Sequence, residues 1–374
     1  MVYRAIGLMS GSSLDGLDIV FVEFHEQAGK WSYEILKADC YSYSDEWIQR
    51  LKNAISLSAL DYQLLHADYG HYIGKQVNKF IDAHDLQYKV ALITSHRHTT
   101  FHIPAKKMTG QLGDGAAIAA QTQLPVVTDL RALDVAFGGQ GAPIVPIGEK
   151  LLLGEYDYFL NIGGIANIST SINDNNDPSI PLRIIAFDVC PANRVLNMLM
   201  NELGEEYDDG GKTAATGTIN STLLEKLNLL DYYKQAFPKS LANDFGTDVV
   251  YPMIRDTGCG IQVALRTYIE HITVQIENAI LLLSNHKPQT TNYKLLTTGG
   301  GAFNTFLMER LTESLKELHI DVIVPDKKLV NYKEAVIMAF IGVLRWRQEY
   351  NVLSSVTGAL RDSIGGALWI GSEA

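Results

Sequence analysis

Gly7-Leu8-Met9-Ser10-Gly11-Ser12-Ser13-Leu14-Asp15-Gly16-Leu17-Asp18 is the stretch on which the reading of this chain turns. Residues 2–9 form an almost continuous apolar run, as a buried strand requires, and residues 17–24 are rich in Ile, Val and Phe. Between them lies a tight polar turn of Gly and Ser. Its backbone N–H and hydroxyl groups can donate to a phosphate. Asp15 can hold a hydrated Mg²⁺, a hard cation that prefers oxygen ligands and keeps its waters. A plain hairpin turn with a solvated Asp reads equally well from this segment alone.

Working outward, residues 31–43 read as a third strand, 45–56 and 62–83 as helices, 90–95 as a buried strand, 113–121 as an Ala-rich helix and 125–130 as a strand. The second half restarts the pattern. A strand at 157–161 leads through Ile162-Gly163-Gly164-Ile165-Ala166-Asn167 into a strand at 168–172. A polar loop tip at 173–181 precedes a strand at 183–187 that delivers Asp188 at its end. Helices follow at 192–202, 219–227 and 247–256, and a long one at 261–283 carries the stripe Val263, Leu265, Ile269, Ile272 and Ile276. A strand at 294–298 runs into Gly299-Gly300-Gly301, with a helix at 303–318 directly after it, a strand at 320–324 and a helix at 332–349. Two related α/β halves facing a cleft are expected. Their junction is expected near 131–148, where Gly138-Gly139-Gln140-Gly141-Ala142-Pro143 reads as a hinge.

Composition narrows the function. The 374 residues are 47% hydrophobic and 20% charged, enough apolar material for two domains or one large one. The net charge of −11, without a basic stripe, gives no electrostatic case for nucleic acid or an anionic membrane. The longest uncharged apolar run, near 335–344, falls short of the roughly 20 residues of a membrane span. Residues 5–9 are too short for the apolar region of a secretory leader. Cys40, Cys190 and Cys259 are widely spaced and odd in number, which fits a reducing cytoplasm better than a disulfide framework.

Each motif carries a competing plain explanation. The Gly163-Gly164 turn repeats the first design, though a β-hairpin also explains it. Three glycines between a buried strand and a helix N-terminus let another group approach the backbone, where a simple βα connection rarely needs three. Asp209-Gly210-Gly211-Lys212-Thr213 mimics the end of a P-loop, but Glu206 stands where the first Gly belongs. No strand-borne G-x-G-x-x-G is present, which argues against a dehydrogenase fold. Asp188 can accept a proton as a partly desolvated carboxylate, or it can cap the helix after Pro191. His96 and His98 would share one strand face after Ser95, with His102 beyond. No further ligand at a diagnostic spacing completes a metal set, and polar contacts explain them too. Cys190 has no His nearby in sequence and reads as a buried thiol. Trp346 reads as core.

The opening stretch resembles that of anhydro-N-acetylmuramic acid kinases. So do Val127-Thr128-Asp129-Leu130-Arg131-Ala132-Leu133-Asp134-Val135-Ala136, the 138–143 segment, the 161–167 turn, Thr298-Gly299-Gly300-Gly301-Ala302-Phe303-Asn304 and Val356-Thr357-Gly358-Ala359, all in the family's order. The resemblance implies two ribonuclease-H-like α/β lobes of the sugar kinase, heat-shock chaperone and actin type around a central cleft, one at 1–135 plus about 352–374 and one at 136–351. It implies ATP held by Gly11, Ser12, Ser13, Leu14, Asp15, Gly16, Leu17 and Asp18, by Gly163, Gly164 and Asn167, and by Gly299, Gly300, Gly301 and Asn304, with Mg²⁺ on Asp15 through water. It implies an amino sugar held by Ser95, His96, Arg131, Asp134 and Glu334.

The family's aspartate activates water for attack at the anomeric carbon of a 1,6-anhydro sugar, and the freed 6-oxygen takes the γ-phosphoryl group. Its Phe-Asp-Thr-Gly-Pro-Gly-Asn motif maps onto Phe187-Asp188-Val189-Cys190-Pro191-Ala192-Asn193, making Asp188 the catalytic base. This chain has Arg97 and His98 within the family's Ser-His-Gly-Gln-Thr, and Lys239-Ser240-Leu241-Ala242-Asn243-Asp244 for its Lys-Ser-Thr-Gly-Arg-Glu. The leading expectation is a cytoplasmic kinase of peptidoglycan recycling that forms N-acetylmuramic acid 6-phosphate, with a homodimer as a possible assembly. The alternatives are a kinase for a different sugar and a non-catalytic ATP-binding module.

Overall fold

Ala5–Leu8 are buried without interruption in the first strand, the signature of a central position in a sheet. The structure, a computed structural model, describes residues 1–11, 14–172, 183–237, 239–242, 244–284 and 292–371. The chain divides into two compact units, Met1–Gly154 with Tyr332–Ala374, and Glu155–Asn331.

In the first unit, β1 (Val2–Ser10), β2 (Gly16–Gln27) and β3 (Lys30–Ser42) form an antiparallel meander. Strand β4 (Leu92–Ser95) runs parallel to β1. A separate hairpin of β5 (His98–Ile103) and β6 (Met108–Leu112) follows, and then β7 (Val126–Thr128), parallel to β4. In the second unit, β8 (Tyr158–Ile162), β9 (Ile165–Ile172) and β10 (Arg183–Pro191) are antiparallel, and β11 (Tyr293–Thr298) and β12 (Ile320–Ile323) continue parallel to β8. Strand β13 (Ala367–Trp369) returns to pair antiparallel with β7.

The sheet orders are β13-β7-β4-β1-β2-β3 and β10-β9-β8-β11-β12. Leaving out β13 and the separate β5–β6 hairpin, and counting from each unit's first strand, both sheets read 3-2-1-4-5, with the first three antiparallel and the last two parallel to the first. Each unit is therefore ribonuclease-H-like, and the fold is α/β.

The first unit's helices are α1 (Asp45–Lys52), α2 (Ala59–Ala83), α3 (Gly115–Thr122), α4 (Ala132–Ala136) and α5 (Pro146–Leu152). The second unit holds α6 (Asn193–Asn201), α7 (Lys212–Ala215), α8 (Ser221–Asn228), α9 (Tyr251–Arg255), α10 (Ile261–Ser284) and α11 (Thr305–Leu315). Helix α12 (Lys327–Trp346) begins at the end of the second unit and joins the first at Tyr332, and α13 (Ser354–Thr357) lies near the C-terminus.

Burial follows the expected faces. Ile6, Leu8, Ile19 and Phe21 pack on Tyr69, Ile73, Val77 and Phe80 of α2. On the other face α12 lies directly on the sheet. A Cβ at Gly7 would collide with the Ala335 carbonyl, and one at Gly342 would collide with Thr94 Oγ1. In the second unit Leu160, Ile168 and Phe187 share a core with Leu265, Ile269, Ile272 and Ile276 of α10. Among the described residues no helix is long and apolar enough to cross a membrane.

Several expectations shift. Residues 136–154 and the part of α12 from Tyr332 onward pack with the first unit rather than the second. The 138–143 segment is therefore interior to that unit and not a junction. The helix at 247–256 is split into a π-helical stretch, Phe245–Val250, and α9. A 3₁₀ turn at Gly300–Phe303 separates the triple glycine from α11. The hairpin β5–β6 was not foreseen. Trp346, read as core, is 47% exposed because it sits on the last turn of α12. The loop tip at 173–181 lies outside the described residues.

Candidate active site

The turn between β1 and β2 is the first element to place. Leu14 is buried there with φ 60°, a left-handed conformation that costs a bulky side chain energy. Asp15 is exposed beside it. Ser12 and Ser13 lie outside the described residues. Gly16 begins β2, where an added Cβ would stand 2.7 Å from Cys40 Sγ. Leu17 faces the core, while Asp18 is half-buried. Burial pushes the Asp18 carboxyl up to about 6, opposed by the Cys40 thiol hydrogen bond and reinforced by the charges of Glu334 and Asp15. Three carboxylates thus crowd one corner of this unit.

A second concentration of chemistry follows β4. His96 Nε2, Arg97 Nε, His98 Nδ1 and Thr99 Oγ1, and Arg131 Nε in the same unit, are buried with no hydrogen-bond partner, whereas the unpaired Thr94 Oγ1 lies inside β4 against α12. Buried polar atoms are normally paired, so each unpaired one needs an explanation. His96 Nδ1 lies 3.0 Å from its neighbour's carbonyl, Arg97 O, and so carries the proton, leaving Nε2 as a bare acceptor. Burial, helped by the Arg131 charge, lowers His96 to about 3, so the ring stays neutral. Burial also brings Arg131 down to about 10, opposed by Glu334, whose own carboxyl is pushed up by burial against the pull of Lys333 and Arg131. Ser95, Arg131 and Glu334 thus share this unit with the first turn.

One expectation is corrected here. His96 and His98 share no strand face, because Arg97 between them takes φ 63° and reverses the chain. The buried Arg97 guanidinium then donates to Gly113 O at 3.0 Å and pairs with Asp129. Asp134, expected beside the sugar, is fully buried. Its carboxylate accepts from Thr357 Oγ1 at 2.6 Å and from the Gly141 N–H at 2.8 Å, tying the 138–143 segment to α13. A cavity of about 240 Å³ lies beside Arg97, Asp129, His66 and Trp369, and none of the expected site residues lines it.

In the second unit Asp188 lies within β10, not at its end, and the pairing with β9 slips between Asp188 and Cys190. Such a bulge bends the strand and re-aims a side chain. The carboxylate does not cap α6. Its Oδ2 accepts from Ser240 Oγ at 2.9 Å and from the Leu241 N–H at 2.8 Å. Tyr232 Oη donates to Asp188 O at 2.6 Å. Burial raises the carboxyl above the usual range, and those two donors to Oδ2 hold it partly down. Ser240 and Leu241 were not among the expected site residues. The signal available was the retained Lys-Ser pair at 239–240. Cys190 is fully buried, and burial drives its thiol far above the ordinary range.

The glycine loops of this unit meet. Gly163 and Gly164 offer carbonyls to the N–H groups of Asn193 at 3.0 Å and Ala192 at 2.8 Å, fixing the start of α6. Gly299 has φ 81°, and a Cβ there would stand 2.7 Å from Asn161 Oδ1, so only glycine fits. A Cβ at Gly301 would collide with Ile162, whereas Gly300 has room. Asn167 is exposed on β9 in register with Asp188. Asn304 caps α11 by accepting from the Leu307 N–H at 3.0 Å. The P-loop mimic has its anion built in, since Asp208 accepts from Thr213 N at 2.8 Å and Ala214 N at 2.9 Å.

The family model for anhydro-N-acetylmuramic acid kinase matches residues 3–371. A protein of that name from Photobacterium profundum is 32% identical, covering 96% of each chain. One from Francisella tularensis subsp. novicida is 31% identical over 95% of each, and one from Haemophilus influenzae is 30% identical over 95% of this chain and 94% of its own. With matches of this extent, the chain belongs to the anhydro-N-acetylmuramic acid kinase family.

Proposed function

We propose that the protein phosphorylates an amino sugar with ATP, converting 1,6-anhydro-N-acetylmuramic acid and water to N-acetylmuramic acid 6-phosphate in the cytoplasm during peptidoglycan recycling. The observation that carries this reading is the Asp188 carboxylate. It is partly desolvated, re-aimed by a bulge and hydrogen-bonded through Oδ2, with Oδ1 left to take a proton. Family membership supplies the reaction class.

In this reading Asp188 takes a proton from water as that water attacks the anomeric carbon. The C1–O6 bond breaks, its electron pair stays on O6, and O6 bonds to the γ-phosphorus as ADP departs. His96 Nε2 and the Arg131 guanidinium bind the sugar, with Ser95 and Glu334 beside them. The buried unpartnered atoms after β4 support this assignment, because sugar hydroxyls can both donate and accept. Asp134 serves the same site indirectly, by holding the 138–143 segment.

The Gly11–Gly16 turn, including Ser12 and Ser13, and the Gly163–Gly164 turn with Asn167 take the phosphates of ATP. Gly299–Gly301 approach the adenosine, with Asn304 fixing the helix behind them. Asp15, exposed and close enough to Asp18 for its charge to act on that carboxyl, fits a hydrated divalent cation, whose oxygen-donor preference matches carboxylates. When bound there, Mg²⁺ would neutralise phosphate charge.

The test is ADP release with a panel of sugars that includes the anhydro sugar, N-acetylmuramic acid, N-acetylglucosamine and glucose. Turnover confined to the anhydro sugar is expected. ADP release without any sugar, or with only an unbridged sugar, would overturn the reading.

A further inference from the structure

We propose that Ser240 is a positioning residue for Asp188, selecting which carboxylate oxygen acts as the base. The inference deepens the kinase reading and rests on it.

Strand β10 is an edge of its sheet, so its outer backbone groups need partners from elsewhere. The segment around residue 240 supplies them at one point. The Asp188 N–H donates to Lys239 O at 3.3 Å, and two residues further the Leu241 N–H donates to Asp188 Oδ2 at 2.8 Å. Ser240 Oγ adds a second donor to the same oxygen at 2.9 Å. Both donors to the carboxylate come from adjacent residues, and both choose Oδ2.

The consequence is asymmetric. With two of its lone-pair directions used, Oδ2 is the poorer proton acceptor, and the carboxylate plane is fixed. Oδ1 is left to receive the proton from water, after which Oδ2 keeps its donors as the carbonyl oxygen of the neutral acid. The Leu241 N–H belongs to the backbone and survives any substitution at 240. The Ser240 hydroxyl is therefore the one side-chain contribution to this clamp that can be removed alone. Ser240 is itself exposed, so its loss leaves no cavity in the core.

The experiment compares wild type, Ser240→Ala and Ser240→Thr in the ADP-release assay across pH, with the KM for ATP measured in each. Ser240→Ala should lower kcat about 10-fold, as expected for losing one hydrogen bond to a charged group. It should also move the acid limb of kcat to higher pH, because a donor that favours the ionised carboxylate is gone. The KM for ATP should stay unchanged, and Ser240→Thr should restore both the rate and the limb.

The carboxyl carbon of Asp188, followed by NMR in protein labelled at aspartate and identified by its absence in Asp188→Asn, should titrate at higher pH in Ser240→Ala. This readout needs no substrate. Unchanged kcat and acid limb in Ser240→Ala, in an otherwise active enzyme, would overturn the inference, as would identical Asp188 titrations. A wild-type protein inactive on every sugar would instead overturn the kinase reading.

Discussion

Asp188 on β10 stands directly opposite Asn167 on β9, at the last regular pair before their register slips. Asn167 in turn faces Asn161 on β8, and Asn161 faces Thr298 on β11. Residues in register share a face of the sheet, so four polar side chains form a row across four strands. Their neighbours Phe187, Ile168 and Leu160 are buried on the opposite face. The row runs from the proposed base to the edge of the triple-glycine loop.

Asp188→Asn removes the proton acceptor while keeping the shape and the ability to accept from Ser240 and Leu241. Turnover should fall roughly 10²–10⁴-fold, the usual contribution of a positioned base. ATP affinity by calorimetry should change by less than about 3-fold. In wild type the base must be ionised, and burial raises its carboxyl above the ordinary value. The rate should therefore decline on acidification starting at a higher pH than for an exposed aspartate. Near-normal turnover in the Asn variant would remove Asp188 from the mechanism.

His96 tests the sugar side. Its Nε2 is a buried acceptor without a partner, so nothing in the folded chain depends on that atom. His96→Ala should raise the sugar KM about 10-fold or lower kcat by a similar factor through one lost hydrogen bond. ATP binding should be retained. A variant with unaltered kinetics on the anhydro sugar would show that the orphaned acceptors after β4 serve something else.

Much of this arrangement was legible because local and global signals agree. The run through Ile6 and Leu8, the polar turn and the run through Ile19 and Phe21 could only be paired central strands, and the same pattern restarts at Tyr158. The stripe on α10 announced its buried face, and the helix spans Ile261–Ser284 against an expected 261–283.

What stayed illegible depends on contacts far apart in sequence. Nothing near Asp134 marks it as a buried strut, because its partner Thr357 lies 223 residues away. Arg97 looked like one polar residue among several. Only the left-handed backbone and the pairing with Asp129, 32 residues on, separate His96 from His98. The clamp on Asp188 comes from residue 240, across a segment with no periodicity to read.

Gly299 offers a test of stability as well as binding. Its φ of 81° is strained for any side chain, and an added methyl would meet Asn161 Oδ1 and the Ile162 carbonyl at 2.7 and 2.8 Å. Gly299→Ala should destabilise the fold by about 1–3 kcal/mol and weaken ATP binding. Gly300→Ala, where the nearest atom to a new Cβ is 3.5 Å away, should leave stability nearly unchanged. Equal melting temperatures for the two variants would refute the distinction between them.

His271 ties stability to pH. The ring is fully buried in the second unit, with Nδ1 2.6 Å from Asn228 Oδ1 and Nε2 2.9 Å from Tyr233 Oη. Asn228 Oδ1 can only accept, so Nδ1 carries the proton and Nε2 accepts from the tyrosine. Burial lowers this histidine to about 3. Between roughly pH 6.5 and 3 the unfolded chain therefore binds a proton at this residue that the native chain does not. Native stability is lost as pH falls through that window, by up to about 1.4 kcal/mol per pH unit from this group. Asp18, raised to about 6, acts in the opposite sense over the upper part of the window, so total stability is a poor readout. The difference between wild type and His271→Gln isolates the histidine. At about pH 7 the variant should be less stable by about 1–3 kcal/mol, the cost of leaving buried partners imperfectly matched. At about pH 5 that gap should shrink by roughly 2 kcal/mol, because only wild type pays for keeping a neutral imidazole. Urea unfolding at the two pH values measures both numbers, and a gap that stays constant would show that His271 is protonated alike in the folded and unfolded chain.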